Sequence, residues 1–145
     1  MADAAHKTQP RPELVTSVLA VDDQPIFLRA VRELINSTAG MFVVGEAGCG
    51  EEAVELAESL RPDLILMDVY MPGLGGVEAA REIKAAHAST VVALLSTTHP
   101  DELSCQGASC PADALIWKSD LRPSVLEEIW QRYRPSPRLG QIAAK

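Results

Sequence analysis

A three-layer, doubly wound α/β domain around a parallel five-stranded sheet is the fold class this chain predicts. Two observations lead there. Short apolar runs alternate with stretches of helical periodicity, repeated five times along the chain, the pattern of a parallel sheet covered on both faces. The length of 145 residues suits one domain with a substantial core.

The elements follow in order. Ser17 to Val21 (SVLAV) is apolar and closes on two aspartates, a buried strand. Pro25 to Ile35 is a helix, with Ile26, Leu28, Val31, Leu34 and Ile35 along one face, and Ser37 to Gly40 break it. Met41 to Glu46 (MFVVGE) is the second strand. Glu51 to Leu60 is a helix with Ala53, Leu56, Ala57 and Leu60 inward, stopped by Arg61-Pro62. Leu64 to Met67 (LILM) is the third strand and runs straight into Asp68. A loop from Gly73 to Gly76 leads to a helix from Val77 to Ala86, with Val77, Ala80 and Ile83 on one side. Val91 to Leu95 (VVALL) is a strand ending at Ser96, and Asp113 to Trp117 (DALIW) is another ending at Lys118. Pro123 suits the first turn of the last helix, which runs to Tyr133 and buries Val125, Leu126, Ile129 and Trp130. Crossovers should be right-handed.

One segment fits this scheme poorly. His99 to Cys110 (HPDELSCQGASC) has one leucine, a central Gly107 and no apolar stripe, so a short or irregular fourth helix is expected there. Residues 1–15 read as a flexible N-terminal arm and 134–145 as a flexible C-terminal tail. The domain itself spans 16–133.

Composition narrows the function. Hydrophobic residues at 47% and charged residues at 23% are ordinary for a soluble domain. No apolar run reaches the roughly 20 residues needed to cross a bilayer, and the first residues lack the apolar core of a secretory signal, so a cytoplasmic location and no membrane partner are expected. The net charge of −7 repels nucleic acid. The one basic cluster, Arg132, Arg134, Arg138 and Lys145, reads as a solvated tail. Cys49, Cys105 and Cys110 make an odd count, read as ordinary reduced thiols rather than a disulfide framework or zinc site.

Chemistry gathers at the strand ends. In an open parallel α/β sheet, ligands bind outside the carboxyl ends of the strands. Here the first strand delivers Asp22 and Asp23, the third Asp68, the fourth Ser96 and the fifth Lys118. Each residue alone has a plainer reading: an Asp pair as a helix N-cap, a serine as a solvated hydroxyl, a lysine as surface charge. Their joint placement on one rim decides for function. Three carboxylates packed together repel one another, which makes sense if a divalent cation such as Mg²⁺ sits among them on oxygen ligands. Lys118 and Ser96 would then hold further phosphate oxygens, and Asp68 would act as nucleophile to form an acyl phosphate.

At these residues the chain resembles a response-regulator receiver domain of the bacterial two-component type. The resemblance covers about Ser17 to Tyr133 and rests on VLAVDDQP, PDLILMDVYMPGLGGVE, VVALLST and ALIWKSD. DDQP and VVGEAGCGEEAVELA are similar to receivers often fused to helix-turn-helix output domains, but a stand-alone receiver is expected here. The resemblance implies the flavodoxin-like strand order 2-1-3-4-5 and phosphorelay signalling. It makes Asp68 the phosphoacceptor. Asp23 and Asp68 become side-chain ligands of Mg²⁺ or Mn²⁺, Asp22 acts largely through a metal-bound water, and the Tyr70 backbone carbonyl completes the site. Ser96 becomes the switch hydroxyl and Lys118 the phosphate-binding lysine, while Pro72 and Gly76 shape the loop after Asp68. The donor would be a sensor histidine kinase or histidine phosphotransfer protein, and the output a contact with a separate protein target. The chain would be a monomer or a weak, phosphorylation-dependent dimer. Beyond self-phosphorylation and dephosphorylation no enzyme activity is expected. A Mg²⁺-dependent phosphohydrolase would need a second general acid that the motifs do not supply.

Two positions depart from the family. Leu115 stands where a Tyr or Phe is usual, three residues before Lys118, and can fill the same cavity without an aromatic ring's inward move. Ser119 stands where proline is common, so a trans or strained Lys118–Ser119 bond is expected. The expectation is intact phosphoryl chemistry with atypical signal transmission. The alternative is a pseudo-receiver, a constitutive interaction module that ignores phosphate.

Overall fold

Successive side chains of a strand point to opposite faces, and here each face finds its own apolar partners. A computed structural model describes residues 15–98 and 109–136. In it β1 (Thr16–Val21), α1 (Pro25–Asn36), β2 (Met41–Ala47), α2 (Gly50–Leu60), β3 (Leu64–Asp68), α3 (Gly76–Ala86), β4 (Val91–Ser96), β5 (Ala114–Trp117), a 3₁₀ turn (Lys118–Asp120) and α4 (Pro123–Tyr133) follow in order. The five strands form one sheet in the order β2-β1-β3-β4-β5, with every pairing parallel.

Val18 and Ala20, Leu64 and Leu66, and Val91, Ala93 and Leu95 face α1 and α4, where Val31, Ile35, Leu126 and Ile129 meet them. Leu19 and Val21, Ile65 and Met67, and Val92 and Leu94 face α2 and α3, meeting Ala53, Ala57, Ala79, Ala80 and Ile83. These are the three layers expected, and the flavodoxin-like order is the one the resemblance implied. β3 lies at the centre and is buried along its whole length, which explains its unbroken apolar run.

Several details differ from the sequence reading, each for a local reason. Ile26 is 84% exposed, although its spacing put it on the buried face of α1. Phe27 and Leu28, the next residues of the same turn, pack against the core in its place. Leu60 is likewise exposed at the last turn of α2. α2 ends on Arg61 in the left-handed conformation (φ 48°), so the stop is a left-handed cap just before Pro62. β5 starts at Ala114 and leaves out Asp113. The Asp113 carboxylate accepts hydrogen bonds from Val92 N at 2.9 Å and Lys84 Nζ at 2.9 Å, and so takes over pairing that a strand backbone would make. β2 carries a register shift opposite Val18 and Leu19, where Val44 is passed over, a bulge at the sheet edge.

Cys110 is disulfide-bonded, to a partner outside the described residues, while Cys49 is free. This corrects the reading of Cys110 as a reduced thiol, since spacing alone does not reveal whether two sulfurs come within bonding distance. The N-terminal arm up to residue 14, the tail from residue 137 and most of the expected fourth helix (99–108) lie outside the described residues. Among the described residues no helix is long and apolar enough to cross a membrane.

Candidate functional site

The carboxyl ends of β1, β3 and β5 bring the charged residues together. Asp22 follows β1 and is 2% exposed. Its Oδ1 accepts a hydrogen bond from Gln24 N at 2.9 Å, which opens α1. The helix N-cap is Gln24, with no side-chain capping bond, so the capping role weighed for the aspartate pair is not the one it plays, and the Asp22 turn contact uses only one oxygen. The other accepts a hydrogen bond from Lys118 Nζ at 2.8 Å. Lys118 Nζ also lies 3.0 Å from Asp68 Oδ1. Asp68 closes β3 and is buried, whereas Asp23 faces solvent. One oxygen from each of Asp22, Asp23 and Asp68 can be chosen so that all lie within 4.8 Å of one another.

Ser96 closes β4 and is fully buried. In the sheet register Asp68 faces Leu95 and Ser96 faces Trp117, so the hydroxyl stands one strand away from the acids. Its Oγ accepts a hydrogen bond from Thr98 N at 2.9 Å, in a turn of its own loop. Tyr70, two residues past Asp68, is 61% exposed and lines a shallow apolar depression with Val69, Met71, Pro72 and Gly75. Leu115 does not reach the rim. It is half-buried, opposite Leu94 and packed on the α2–α3 side of the core. No peptide bond among the described residues is cis, so Lys118–Ser119 is trans, as expected without proline.

The electrostatics follow from this crowding. Burial raises the pKa of Asp68. Lys118 opposes the rise through its hydrogen bond and charge, and the charges of Asp22 and Asp23 add to it. Burial would lower the pKa of Lys118, but its hydrogen bonds to Asp22 and Asp68 and their charges outweigh that and raise it. Three carboxylates against one ammonium leave an uncompensated negative charge. A hard cation is the ordinary remedy, because Mg²⁺ takes carboxylate oxygens as ligands, and one oxygen from each of the three acids can be gathered within 4.8 Å of the others. The donor set fits such an ion.

Two contacts at this rim escape a reading of strand ends. The Phe27 ring, on the first turn of α1, lies with its centroid 3.9 Å from Lys118 Nζ. The Trp117 indole Nε1 donates to the Thr97 carbonyl at 3.0 Å, tying the end of β5 to the loop after Ser96. An aromatic four residues after Asp23 is the only trace of the first contact in the sequence. The second has no local signature, because it joins two strands.

The profile of the response regulator receiver domain matches residues 18–129. The chain belongs to this family. As a receiver domain it has many relatives. It is 37% identical over 112 residues to the transcriptional regulatory protein YxjL of Bacillus subtilis, covering 77% of this chain and 51% of that protein. It is 36% identical over 110 residues to the nitrate/nitrite response regulator protein NarL of Escherichia coli, covering 76% and 50%. Among solved structures, the response regulator domain of Thermotoga maritima CheB superposes with a TM-score of 0.73 at 34% identity, covering 85% of this chain and 99% of that one. The chain spans about half the length of those two curated regulators, so the matches speak for the receiver domain alone.

Proposed function

We propose that this receiver accepts a phosphoryl group on Asp68 and passes the signal on by contact with another protein. The observation that carries this is the single ammonium of Lys118 set between Asp22 and Asp68 at 2.8 and 3.0 Å, with a third carboxylate beside them. An Asp68 oxygen attacks the phosphorus of a phosphohistidine on a sensor kinase or phosphotransfer protein. The P–N bond breaks, imidazole leaves, and an aspartyl phosphate forms. Mg²⁺ or Mn²⁺ held by Asp22, Asp23, Asp68 and the Tyr70 carbonyl would offset the charge of the transferring group and bind one of its oxygens. Lys118, freed from part of its pairing with the acids, turns to a second oxygen. Ser96 gives up its turn contact with Thr98 to donate its hydroxyl to a third. The role belongs in the cytoplasm, where phosphodonors charged from ATP are found, and it needs no direct contact with nucleic acid.

A second reading is favoured by one observation. Leu115 is a half-buried aliphatic side chain packed against the core, in line with a pseudo-receiver whose surface does not respond to phosphate. Intact mass after incubation with Mg²⁺ and acetyl phosphate separates the two. The expected result is one added phosphoryl group on the wild type and none on Asp68→Asn. A wild type that gains no mass, or an Asp68→Asn variant that gains as much, defeats the first reading.

A further inference from the structure

Among the described residues the Lys118 ammonium meets two carboxylates and one ring, and both carboxylates are committed elsewhere in the reaction proposed above, on which this inference rests. Asp22 and Asp68 would turn oxygens to a cation, and Asp68 would carry the phosphoryl group. The third is the ring of Phe27, 3.9 Å from Nζ to centroid, well within the roughly 6 Å over which a cation is drawn to an aromatic face. We infer that Phe27 is a positioning residue for phosphoryl transfer, holding the Lys118 ammonium at the pocket while the carboxylates change partners.

The placement of the ring follows from the chain. Gln24 N donates to Asp22 Oδ1 at 2.9 Å, and Pro25 begins α1 in the next step, so the first helical turn is fixed to the acid pair. That turn exposes Ile26 and brings Phe27 inward, to intermediate burial. Phe27 then lines a groove with Ala30, Val31, Leu34, Leu121 and Lys118 itself. The lysine stem thus lies along apolar wall and its ammonium over a ring face, an arrangement suited to a long side chain with a charged tip. A free lysine has many rotamers, and its ordering costs entropy that carboxylate partners can offset only while they remain its partners. The ring is uncharged, takes no part in the chemistry and does not compete for the cation. It is the contact that persists from the resting to the phosphorylated state.

Phe27→Leu keeps apolar bulk and removes the ring, and Phe27→Tyr restores it. Three readouts on the full chain decide the matter. In the metal-free protein, the Lys118 side-chain methylene protons should be displaced upfield by the ring current in wild type and Phe27→Tyr, but not in Phe27→Leu. With saturating Mg²⁺ and acetyl phosphate, Phe27→Leu should be phosphorylated about 3- to 30-fold more slowly, and Phe27→Tyr close to the wild-type rate. Mg²⁺ affinity by calorimetry should be unchanged in both, because the ring offers no ligand to the ion. The inference fails if Phe27→Leu reacts at the wild-type rate or Phe27→Tyr is as slow as Phe27→Leu. It fails too if Mg²⁺ affinity falls in step with the rate, which marks a packing role. A wild type that takes no phosphoryl group defeats the functional reading instead, and the ring-current measurement still tests the stacking.

Discussion

Asp68 sits where burial and two neighbouring acids work against its charge and only Lys118 works for it. Its pKa is raised, so the folded chain holds the Asp68 proton to higher pH than the unfolded chain does. Stability therefore falls as pH rises through the interval between the ordinary carboxylate value and the raised one, and stays lower above it. Without metal, Asp68→Asn is expected to melt above the wild type at pH 7, with the gap closing below about pH 4. Melting curves across that range check this, and a gap that widens on acidification contradicts it. Tyr70 offers a second test at the same scale. Its exposed ring stands on the loop beside Asp68, where bulk would hinder the approach of hydrolytic water. Tyr70→Asn is expected to lose phosphate several-fold faster once phosphorylated. Decay of the phosphorylated mass measures the rate, and an equal or slower loss counts against the idea.

At the scale of elements, the site depends on how closely helix starts approach the loop after β3. A Cβ added at Gly76, the first residue of α3, would lie 2.1 Å from the Asp68 carbonyl oxygen and 3.0 Å from Val69 Cα. A Cβ at Gly50, the first residue of α2, would lie 2.1 Å from the Leu74 carbonyl oxygen. Glu51 adds a tether, accepting a hydrogen bond from Leu74 N at 3.1 Å, and such backbone donors hold its pKa low. Backbone, unlike a side-chain tip, cannot yield cheaply. Gly76→Ala is expected to cost at least about 1–3 kcal/mol and to weaken Mg²⁺ binding, because the displaced backbone runs from Asp68 at the end of β3 into the loop that carries Tyr70. Denaturant titration and calorimetry measure the two effects, and wild-type values for both would show that the loop yields after all. The strands were legible to within a residue because buried parallel strands are apolar throughout and end abruptly. Asp113 misled, since a carboxylate that mimics backbone pairing looks like the first residue of a strand.

For the whole molecule, five parallel strands between two helical layers form a frame that carries a costly acidic rim at its strand ends. A ligand that binds only the folded state stabilises it. Mg²⁺ at about 100 times its Kd adds about 2.7 kcal/mol, and in a domain of this size each kcal/mol moves Tm by about 3–5 °C. A rise of about 10 °C on adding Mg²⁺, reversed by chelator and much reduced in Asp68→Asn, is the expected outcome of thermal melts. No change in Tm at any Mg²⁺ concentration would remove the cation from the account.

By itself the sequence determined the layers, the strand ends and which residues those ends present as a candidate site. Binary pattern sets which segments bury both faces, and strands that terminate on Asp22, Asp68, Ser96 and Lys118 leave those residues little choice of place. Only the tertiary structure decided their pairings. Lys118 reaches both Asp22 and Asp68 and lies over Phe27, and Trp117 binds the Thr97 carbonyl. These contacts join residues far apart in the chain, and their distances depend on how neighbouring strands are offset and how helices sit against them. The exposure of Ile26 and Leu60 has the same origin: a helical period says which face is apolar, but which residues of that face find a partner is a property of the assembled layers.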